Sequence, residues 1–188
     1  MTKTQELFSA RSWLFAPGDS EKKMQKAADS AADIALFDLE DAVADAEKPK
    51  ARSLVQNFLK SQLGDHARLW VRINPLQGEH ALLDLVAVMP GRPGGIMVPK
   101  TRSGADLVVL DHYLSALEVA NGIAPGSTKV FPLVTETAEG MLATGTYAGA
   151  PRLVAMTWGA EDLADSLGAS ENRNADGSYG FTYQLARS

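Results

Sequence analysis

Short, continuous apolar runs alternate with segments of helical periodicity along most of the chain. The runs lack the apolar–polar alternation of a sheet with one exposed face, so they predict strands buried on both faces, as in a parallel sheet covered by helices. Six β–α units result. The predicted strands are 12–16, 34–38, 69–73, 95–98, 129–134 and 153–158, and the helix-length connections are 20–32, 49–59, 78–89, 104–120 and 138–147.

Two architectures fit β–α units in series: a doubly wound sheet and a (β/α) barrel. The dinucleotide-binding form of the doubly wound sheet carries GxGxxG after its first strand, whereas Gly18 stands alone there. The barrel is therefore favoured. A complete (β/α)8 barrel takes about 250 residues, and the chain has 188. We predict one α/β domain over residues 1–188, of TIM-barrel type and truncated after about six units, with 181–188 opening a further helix.

Composition narrows the classes of partner. With 45% hydrophobic and 22% charged residues the chain is typical of a globular protein, and its net charge of −5 argues against nucleic-acid and anionic-membrane partners. The absence of cysteine excludes thiolate metal sites and cysteine nucleophiles. The first residues contain no apolar signal region and no run approaches the length of a membrane span. We therefore expect a cytoplasmic location.

Carboxylates follow three of the predicted strands. Glu136 follows the fifth run, Asp162 follows the sixth, and Glu40 and Asp41 follow the second. Because the carboxyl ends of parallel strands meet at one face, Glu136 and Asp162 would be neighbours that repel each other unless a cation or proton lies between them. Two carboxylates completed by water and substrate are typical of Mg2+. The alternative, acidic residues that only complement helix starts, stays open.

Arg72 lies within an apolar strand run, where an arginine needs a partner. An ion pair with Glu40 or Asp41 would satisfy it, and its guanidinium would also suit a substrate carboxylate or an enolate oxygen. The acidic pair itself could instead be a solvated helix start. Asp38 sits within the preceding strand run, which favours a structural partner over a catalytic role.

Two further basic residues adjoin predicted strands. Lys100 follows the fourth run, which is compatible with a Schiff-base lysine, but a polar loop lysine is the favoured interpretation. Arg11 adjoins the first run and could reach a substrate phosphate.

Six motifs, in order and at their intervals, resemble the citrate lyase β-subunit family within the HpcH/HpaI aldolase and citryl/malyl-CoA lyase group. They are RSWLFAPG, LFDLEDAV, VRIN, MVPK, VTETAEG and WGAEDLADSLG, and they span residues 11–168. The resemblance implies a Mg2+-dependent (β/α)8 barrel that makes or cleaves a carbon–carbon bond between a 2-oxo acid and an acyl-CoA thioester.

The resemblance also implies roles for matching residues. Glu136 and Asp162 would bind the metal, with Glu136 also beside the substrate, and Arg72 would bind the substrate and stabilise an enolate. Glu40 and Asp41 would position Arg72 and a metal-bound water. From their position, we expect the backbone amides of Gly159 and Ala160 to stabilise developing oxyanions.

The chain departs from the family pattern at its carboxyl end. Family barrels continue through two further β–α units and a region that helps to bind CoA. Open sheet edges favour pairing with another chain, so we expect either a homo-oligomer or a truncated protein. Three functions stay open: a lyase acting on citryl-CoA or malyl-CoA, a non-catalytic module that binds metal and oxo acid, and an aldolase acting on a free hydroxy-oxo acid.

Overall fold

A parallel sheet of five strands, arranged in the order of the sequence, forms the centre of the fold. It belongs to a computed structural model that describes residues 10–62 and 66–188. Apolar runs form all five strands, and β2 to β5 are largely buried on both faces, as predicted, whereas Leu14 and Phe15 of the edge strand β1 are partly exposed. The strands are β1 Trp13–Pro17, β2 Ile34–Asp38, β3 Leu69–Arg72, β4 Gly95–Val98 and β5 Lys129–Pro132.

Helices connect the strands and cover one face of the sheet. Local signals start several of them: Pro49 lies in the first turn of α2, and the side chains of Ser103 and Thr137 cap α4 and α5. The helices are α1 Glu21–Ala28, α2 Lys48–Ser61, α3 Ala81–Val88, α4 Gly104–Ala120, α5 Ala138–Leu142, α6 Glu161–Leu167 and α7 Phe181–Arg187. Short 3-10 turns lie at Asp45–Glu47, His66–Arg68, Met89–Gly91 and Thr144–Tyr147.

The two faces of the sheet pack separately. Phe37, Val71 and Ile96 face the helices in the larger core, whereas Leu36, Trp70 and Met97 belong to a second cluster on the other face. There the ring of Trp70 meets that of Trp13 edge to face, with ring centroids 5.0 Å apart. A sheet with strands in sequence order, helices outside and apolar residues inside is the arrangement of a TIM-type barrel.

The sixth predicted strand, 153–158, continues the sheet only in part. It runs parallel to β5 through two isolated bridges, Val130 to Leu153 and Leu133 to Thr157, and is not the regular strand that the sequence predicted. Met156, between the bridges, is largely exposed. In the described part of the chain this segment pairs with β5 alone, and a strand supported on one side has fewer backbone bonds to hold a regular ladder.

A buried ion pair fastens the start of this segment to α4. Both terminal nitrogens of Arg152 bond to Glu118, at 2.6 and 2.9 Å, and the same carboxylate accepts the backbone N–H groups of Gly126 and Thr128. Arg152 also pairs with Asp111. The network therefore ties Arg152, which precedes residues 153–158, to α4 and to the loop before β5.

None of the helices in residues 10–62 and 66–188 combines the length and the apolar character needed to cross a membrane.

Candidate active site

Asp38, the last residue of β2, organises the turn that follows it. Its carboxylate accepts the backbone N–H groups of Glu40 and Ala42, at 2.9 and 3.1 Å, and the side-chain N–H groups of Arg72. Asp38 is buried, so these bonds replace the water that it loses on folding. The prediction of a structural role for Asp38 agrees with these contacts.

Arg72, at the end of β3, lies among three carboxylates. Its Nε and Nη2 bond to Asp38 at 2.8 and 2.6 Å, while Nη1 lies 2.9 Å from Glu40 Oε2 and 3.7 Å from Asp41. Burial opposes its charge, but the bond to Asp38 and the three carboxylates raise the pKa of Arg72 above its ordinary value. The guanidinium therefore stays charged and is held in one orientation.

The aromatic ring of Phe15, in β1, lies against the guanidinium of Arg72. The guanidinium carbon lies 5.0 Å from the centroid of the half-exposed Phe15 ring. A ligand that approaches Arg72 would therefore meet a charged group beside an apolar surface.

Lys100 is a member of this acidic cluster, although the site predicted from the sequence does not include it. Its ammonium lies 2.9 Å from Glu40, 3.0 Å from Asp162 and 3.7 Å from Asp41. The favoured interpretation of a polar loop lysine is therefore corrected. The signal was its place directly after β4, at the same edge of the sheet as the acidic residues.

The surroundings of Lys100 also disfavour the Schiff-base alternative. Burial lowers its pKa, but the bonds to Glu40 and Asp162 outweigh burial and raise the pKa above its ordinary value. A Schiff-base lysine needs the opposite shift, because only the neutral amine attacks a carbonyl.

Glu136 is a buried carboxylate in the loop between β5 and α5. Its side chain is 3% exposed, and Oε2 accepts the backbone N–H of Lys100 at 2.7 Å. Burial raises the pKa of Glu136 to about 7; the Lys100 N–H opposes the shift, while the charges of Asp162 and Glu40 add to it. Near neutral pH the protonated and ionised forms of this carboxyl are thus both populated.

Gly159 lets the backbone approach this carboxylate closely. A Cβ added at Gly159 would lie 2.7 Å from both Cγ and Oε1 of Glu136, closer than real contacts allow. Within the described residues, the backbone N–H groups of Gly159 and Ala160 have no hydrogen bond to a backbone acceptor. Their predicted role as oxyanion donors stays a prediction.

Asp162 completes the cluster from the first turn of α6. Its carboxylate meets the Lys100 ammonium at 3.0 Å, and its charge acts on Glu136. The structure thus brings together Glu40, Asp41, Arg72, Glu136 and Asp162, as the strand ends predicted.

Arg11 is not brought to this cluster. Its backbone N–H bonds to Asp33 at 2.8 Å, and these residues precede β1 and β2 respectively. Arg11 therefore lies at the amino-terminal edge of the sheet, whereas the cluster lies at the carboxyl-terminal edge. This placement does not support its predicted role as a substrate-binding residue, because each strand carries the chain from one edge to the other.

A buried polar network beneath the cluster fixes the turn after β2. The Lys48 ammonium donates to the carbonyls of Leu39 and Glu40, both at 3.1 Å, and to Asn74 at 2.7 Å. Asn74 in turn bonds to Leu39 and to Asp84. Sequence reasoning missed this support, although Asn74 lies within the VRIN motif.

The charge balance of the cluster suits a divalent cation. Two cationic side chains, Arg72 and Lys100, face five carboxylates, which leaves three negative charges in excess when all are ionised. Glu40 Oε2 is buried, and its partner among the described residues is the charge of Arg72 Nη1 at 2.9 Å, without hydrogen-bond geometry. Acidic oxygens are the donors that Mg2+ prefers. The carboxylates are Asp38, Glu40, Asp41, Glu136 and Asp162.

Protein ligands alone would not complete a metal site here. In residues 10–62 and 66–188, no group of three or more His, Cys, Asp or Glu side chains is arranged to hold a metal ion. Glu136 and Asp162 would supply two ligands, and water or substrate would supply the rest, as is common for Mg2+.

Comparison with known proteins agrees with this geometry. The family model described as HpcH/HpaI aldolase/citrate lyase matches residues 11–184. The chain belongs to this family. The structural neighbours of the chain have a TIM-barrel type of fold, as predicted from the sequence.

Relatives of known name are similar over most of the chain. A citrate lyase subunit beta-like protein of Mycobacterium tuberculosis is 40% identical over 167 residues, which cover 89% of this chain and 54% of that protein. A (3S)-malyl-CoA thioesterase of Cereibacter sphaeroides is 37% identical over 161 residues, covering 85% and 52%. The chain thus spans about half the length of these relatives.

Solved structures show the same fold. The citrate lyase beta subunit of M. tuberculosis, complexed with oxaloacetate and magnesium, superposes with a TM-score of 0.77 at 38% identity, covering 96% of this chain and 72% of that one. The protein CitE of M. tuberculosis, in complex with magnesium, acetoacetate and coenzyme A, gives a TM-score of 0.75 at 38% identity, covering 95% and 60%.

Proposed function

We propose that this chain carries the active site of a Mg2+-dependent carbon–carbon lyase. Its substrate would be a 3-hydroxyacyl-CoA such as citryl-CoA or malyl-CoA, and its products a 2-oxo acid and an acyl-CoA. One observation carries the proposal: Lys100 contacts both Glu136, through its backbone N–H at 2.7 Å, and Asp162, through its ammonium at 3.0 Å, at the edge of the sheet where Asp38 holds the Arg72 guanidinium. The ligands of the related structures, a 2-oxo acid, magnesium and coenzyme A, support this choice.

Glu136 and Asp162 would hold the ion. When bound, Mg2+ would supply Lewis-acid polarisation of the oxygen at the carbon that becomes the carbonyl of the 2-oxo acid. Because the pKa of Glu136 is raised to about 7, its carboxyl is partly protonated near pH 7 before the ion binds. Binding of the ion would therefore release the remaining proton from this carboxyl.

The cleavage moves one proton and one electron pair. The C3 hydroxyl loses its proton and becomes a carbonyl, the C2–C3 bond breaks, and its electron pair passes to the thioester as an enolate, which takes up a proton at C2. Arg72 would stabilise the negative charge on an oxygen of the reacting groups, since it is held rigidly by Asp38. The backbone amides of Gly159 and Ala160 would add donors to a developing oxyanion.

Glu40 and Asp41 would act through their neighbours. Glu40 pairs with both cations of the cluster, Arg72 at 2.9 Å and Lys100 at 2.9 Å. Asp41 lies 3.7 Å from each and is more exposed. Both carboxylates therefore orient positive charge toward the space that the substrate would fill.

Incubation with citryl-CoA, malyl-CoA and citramalyl-CoA tests the proposal, with products identified by mass spectrometry. We expect a 2-oxo acid and acetyl-CoA from at least one thioester, only when Mg2+ is present, and loss of this activity in Glu136→Gln. Glu139→Gln is the matched control, because Glu139 is an exposed residue in the first turn of α5. No cleavage of any thioester by the folded chain with Mg2+ would contradict the lyase and favour a module that binds metal and oxo acid.

A second candidate is a thioesterase. The relatives in C. sphaeroides named (3S)-malyl-CoA thioesterase are as similar to this chain as several named citrate lyase subunits. Hydrolysis of malyl-CoA would release free malate and CoA, whereas cleavage of its carbon–carbon bond would release glyoxylate and acetyl-CoA. The same mass measurement therefore separates the two reactions. Cleavage of free hydroxy-oxo acids would instead indicate an aldolase.

A further inference from the structure

The Lys100 ammonium occupies a position that a metal ion would compete for. It lies 3.0 Å from Asp162, one of the two carboxylates assigned above to Mg2+, and 2.9 Å from Glu40, which is not assigned to the metal. The side chain is only 29% exposed, so these contacts are not those of a freely moving surface lysine.

We propose that Lys100 is an exchangeable counter-ion of Asp162. In the metal-free protein it neutralises Asp162; on metal binding it yields this carboxylate to Mg2+ and stays on Glu40 and Asp41. The inference rests on the proposed Mg2+ site and concerns which cation neutralises Asp162 with and without the metal.

The contacts of Lys100 allow this exchange without leaving a buried charge alone. After losing Asp162, the ammonium still has Glu40 at 2.9 Å and Asp41 at 3.7 Å. Asp162 is 28% exposed, so its side chain has room to turn. A buried cation that lost its only partner would resist the exchange, whereas one with three carboxylates moves between them at low cost.

The backbone of Lys100 serves the site separately from its side chain. The Lys100 N–H donates to Glu136 at 2.7 Å, and the residue takes a left-handed conformation with φ of 52°. This conformation, which is uncommon outside glycine, aims the N–H at one assigned ligand while the side chain reaches the other. Substitution of the side chain therefore removes the ammonium while the bond to Glu136 remains.

The exchange has a functional consequence. An ammonium beside Asp162 weakens Mg2+ binding, because the ion must displace it and then share the cluster with its charge. In return, the metal-free cluster keeps a cation among its carboxylates, and the metal-loaded site keeps a positive charge that faces an incoming substrate carboxylate.

Calorimetric titration of Mg2+ tests the inference in three proteins: wild type, Lys100→Met and the control Lys50→Met. Lys50 pairs with Glu47 on the surface of α2, so its loss removes the same charge away from the site. We expect Lys100→Met to bind Mg2+ roughly tenfold more tightly than wild type, by removal of a competing charge, and Lys50→Met to match wild type. Lys100→Met should also gain more in melting temperature from Mg2+ than wild type does.

Nitrogen-15 NMR of lysine ammonium groups gives a readout that does not depend on the folding of the Met variant. The Lys100 signal, assigned by its loss in Lys100→Arg, should shift when Mg2+ is added to wild type, while the Lys50 signal should not.

The outcomes separate this inference from the proposed function. If wild type binds Mg2+ but Lys100→Met binds with equal or lower affinity, or the Lys100 signal stays unmoved, the counter-ion role is overturned and the metal site stands. If only Lys100→Met binds Mg2+, the counter-ion role is upheld and the proposed metal-dependent function of the native chain fails. If neither protein binds Mg2+, both are overturned.

Discussion

Asp38 and Arg72 are direct partners across the β2–β3 pair, and their side chains form a two-pronged ion pair. The Cα register aligns the two residues, and the bonds from Nε and Nη2 of Arg72 measure 2.8 and 2.6 Å. Both side chains are largely buried. Strand pairing thus sets the orientation of the guanidinium before any ligand arrives, which is the preorganisation that transition-state stabilisation requires.

Replacing Asp38 with asparagine should destabilise the protein by about 3 kcal/mol, because it leaves the buried Arg72 without its closest counter-charge. Urea unfolding measures this change. The control Glu47→Gln removes an exposed partner of Lys50 and should cost below about 0.5 kcal/mol. Equal effects of the two substitutions would show that the Asp38–Arg72 pair contributes little.

Replacing Gly159 with alanine should weaken Mg2+ binding roughly tenfold or more, because a methyl group 2.7 Å from the carboxylate of Glu136 forces that ligand to move. Calorimetric titration gives the affinity. Gly145→Ala is the matched control, since nothing lies within 4 Å of a Cβ at Gly145. An unchanged affinity in Gly159→Ala would argue against Glu136 as a ligand.

Mg2+ affinity should rise with pH through the neutral range. Burial raises the pKa of Glu136 to about 7, so below this pH the ion has to displace a proton and affinity falls by about tenfold per pH unit. Titrations between about pH 5.5 and 8.5 would show the slope. A slope of the same size in Glu136→Gln would assign the proton to another group, of which Glu40, whose pKa burial also raises, is the first to examine.

The stability of the metal-free protein should show the opposite trend. The folded pKa of Glu136, about 7, lies above its ordinary value of 4.5, so the folded state binds the extra proton between these values. Its contribution to stability is fully present below pH 4.5 and is lost as pH rises through 7. Without metal, the melting temperature should therefore decrease more steeply with rising pH over this range in wild type than in Glu136→Gln.

The contribution of Glu118 to stability should depend on pH in the opposite sense to that of Glu136. Burial raises its pKa, but the bonds from Arg152 and from the Thr128 and Gly126 N–H groups outweigh burial and lower it to about 2, below the ordinary 4.5. Its contribution is thus present above pH 4.5 and lost as pH falls toward 2. Glu118→Gln should cost about 3 kcal/mol at pH 7 by urea unfolding, and the difference from wild type should shrink in acid. A constant difference across this range would contradict the assignment.

The sequence by itself determined the order of strands and helices and the edge at which the acidic residues gather. Continuous apolar runs are a local signal of buried strands, and the predicted segments that open at Pro49 and Gly104 start within one residue of α2 and α4. Because the chain crosses a parallel sheet once per unit, residues that follow successive strands must meet at one edge. Glu136 and Asp162 were predictable for that reason.

Tertiary structure alone decided which of these side chains touch. Arg72 pairs with Glu40, as the sequence suggested, but it also takes Asp38 as its two-pronged partner, because strand register aligns that pair. Lys100, whose backbone is left-handed, enters the cluster through Glu40 and Asp162, and Arg11 stays at the far edge of the sheet. The irregular pairing of 153–158 also depends on its neighbours. Side-chain direction in loops and pairing at a sheet edge follow from contacts between distant residues, which a local pattern of apolar and polar positions does not contain.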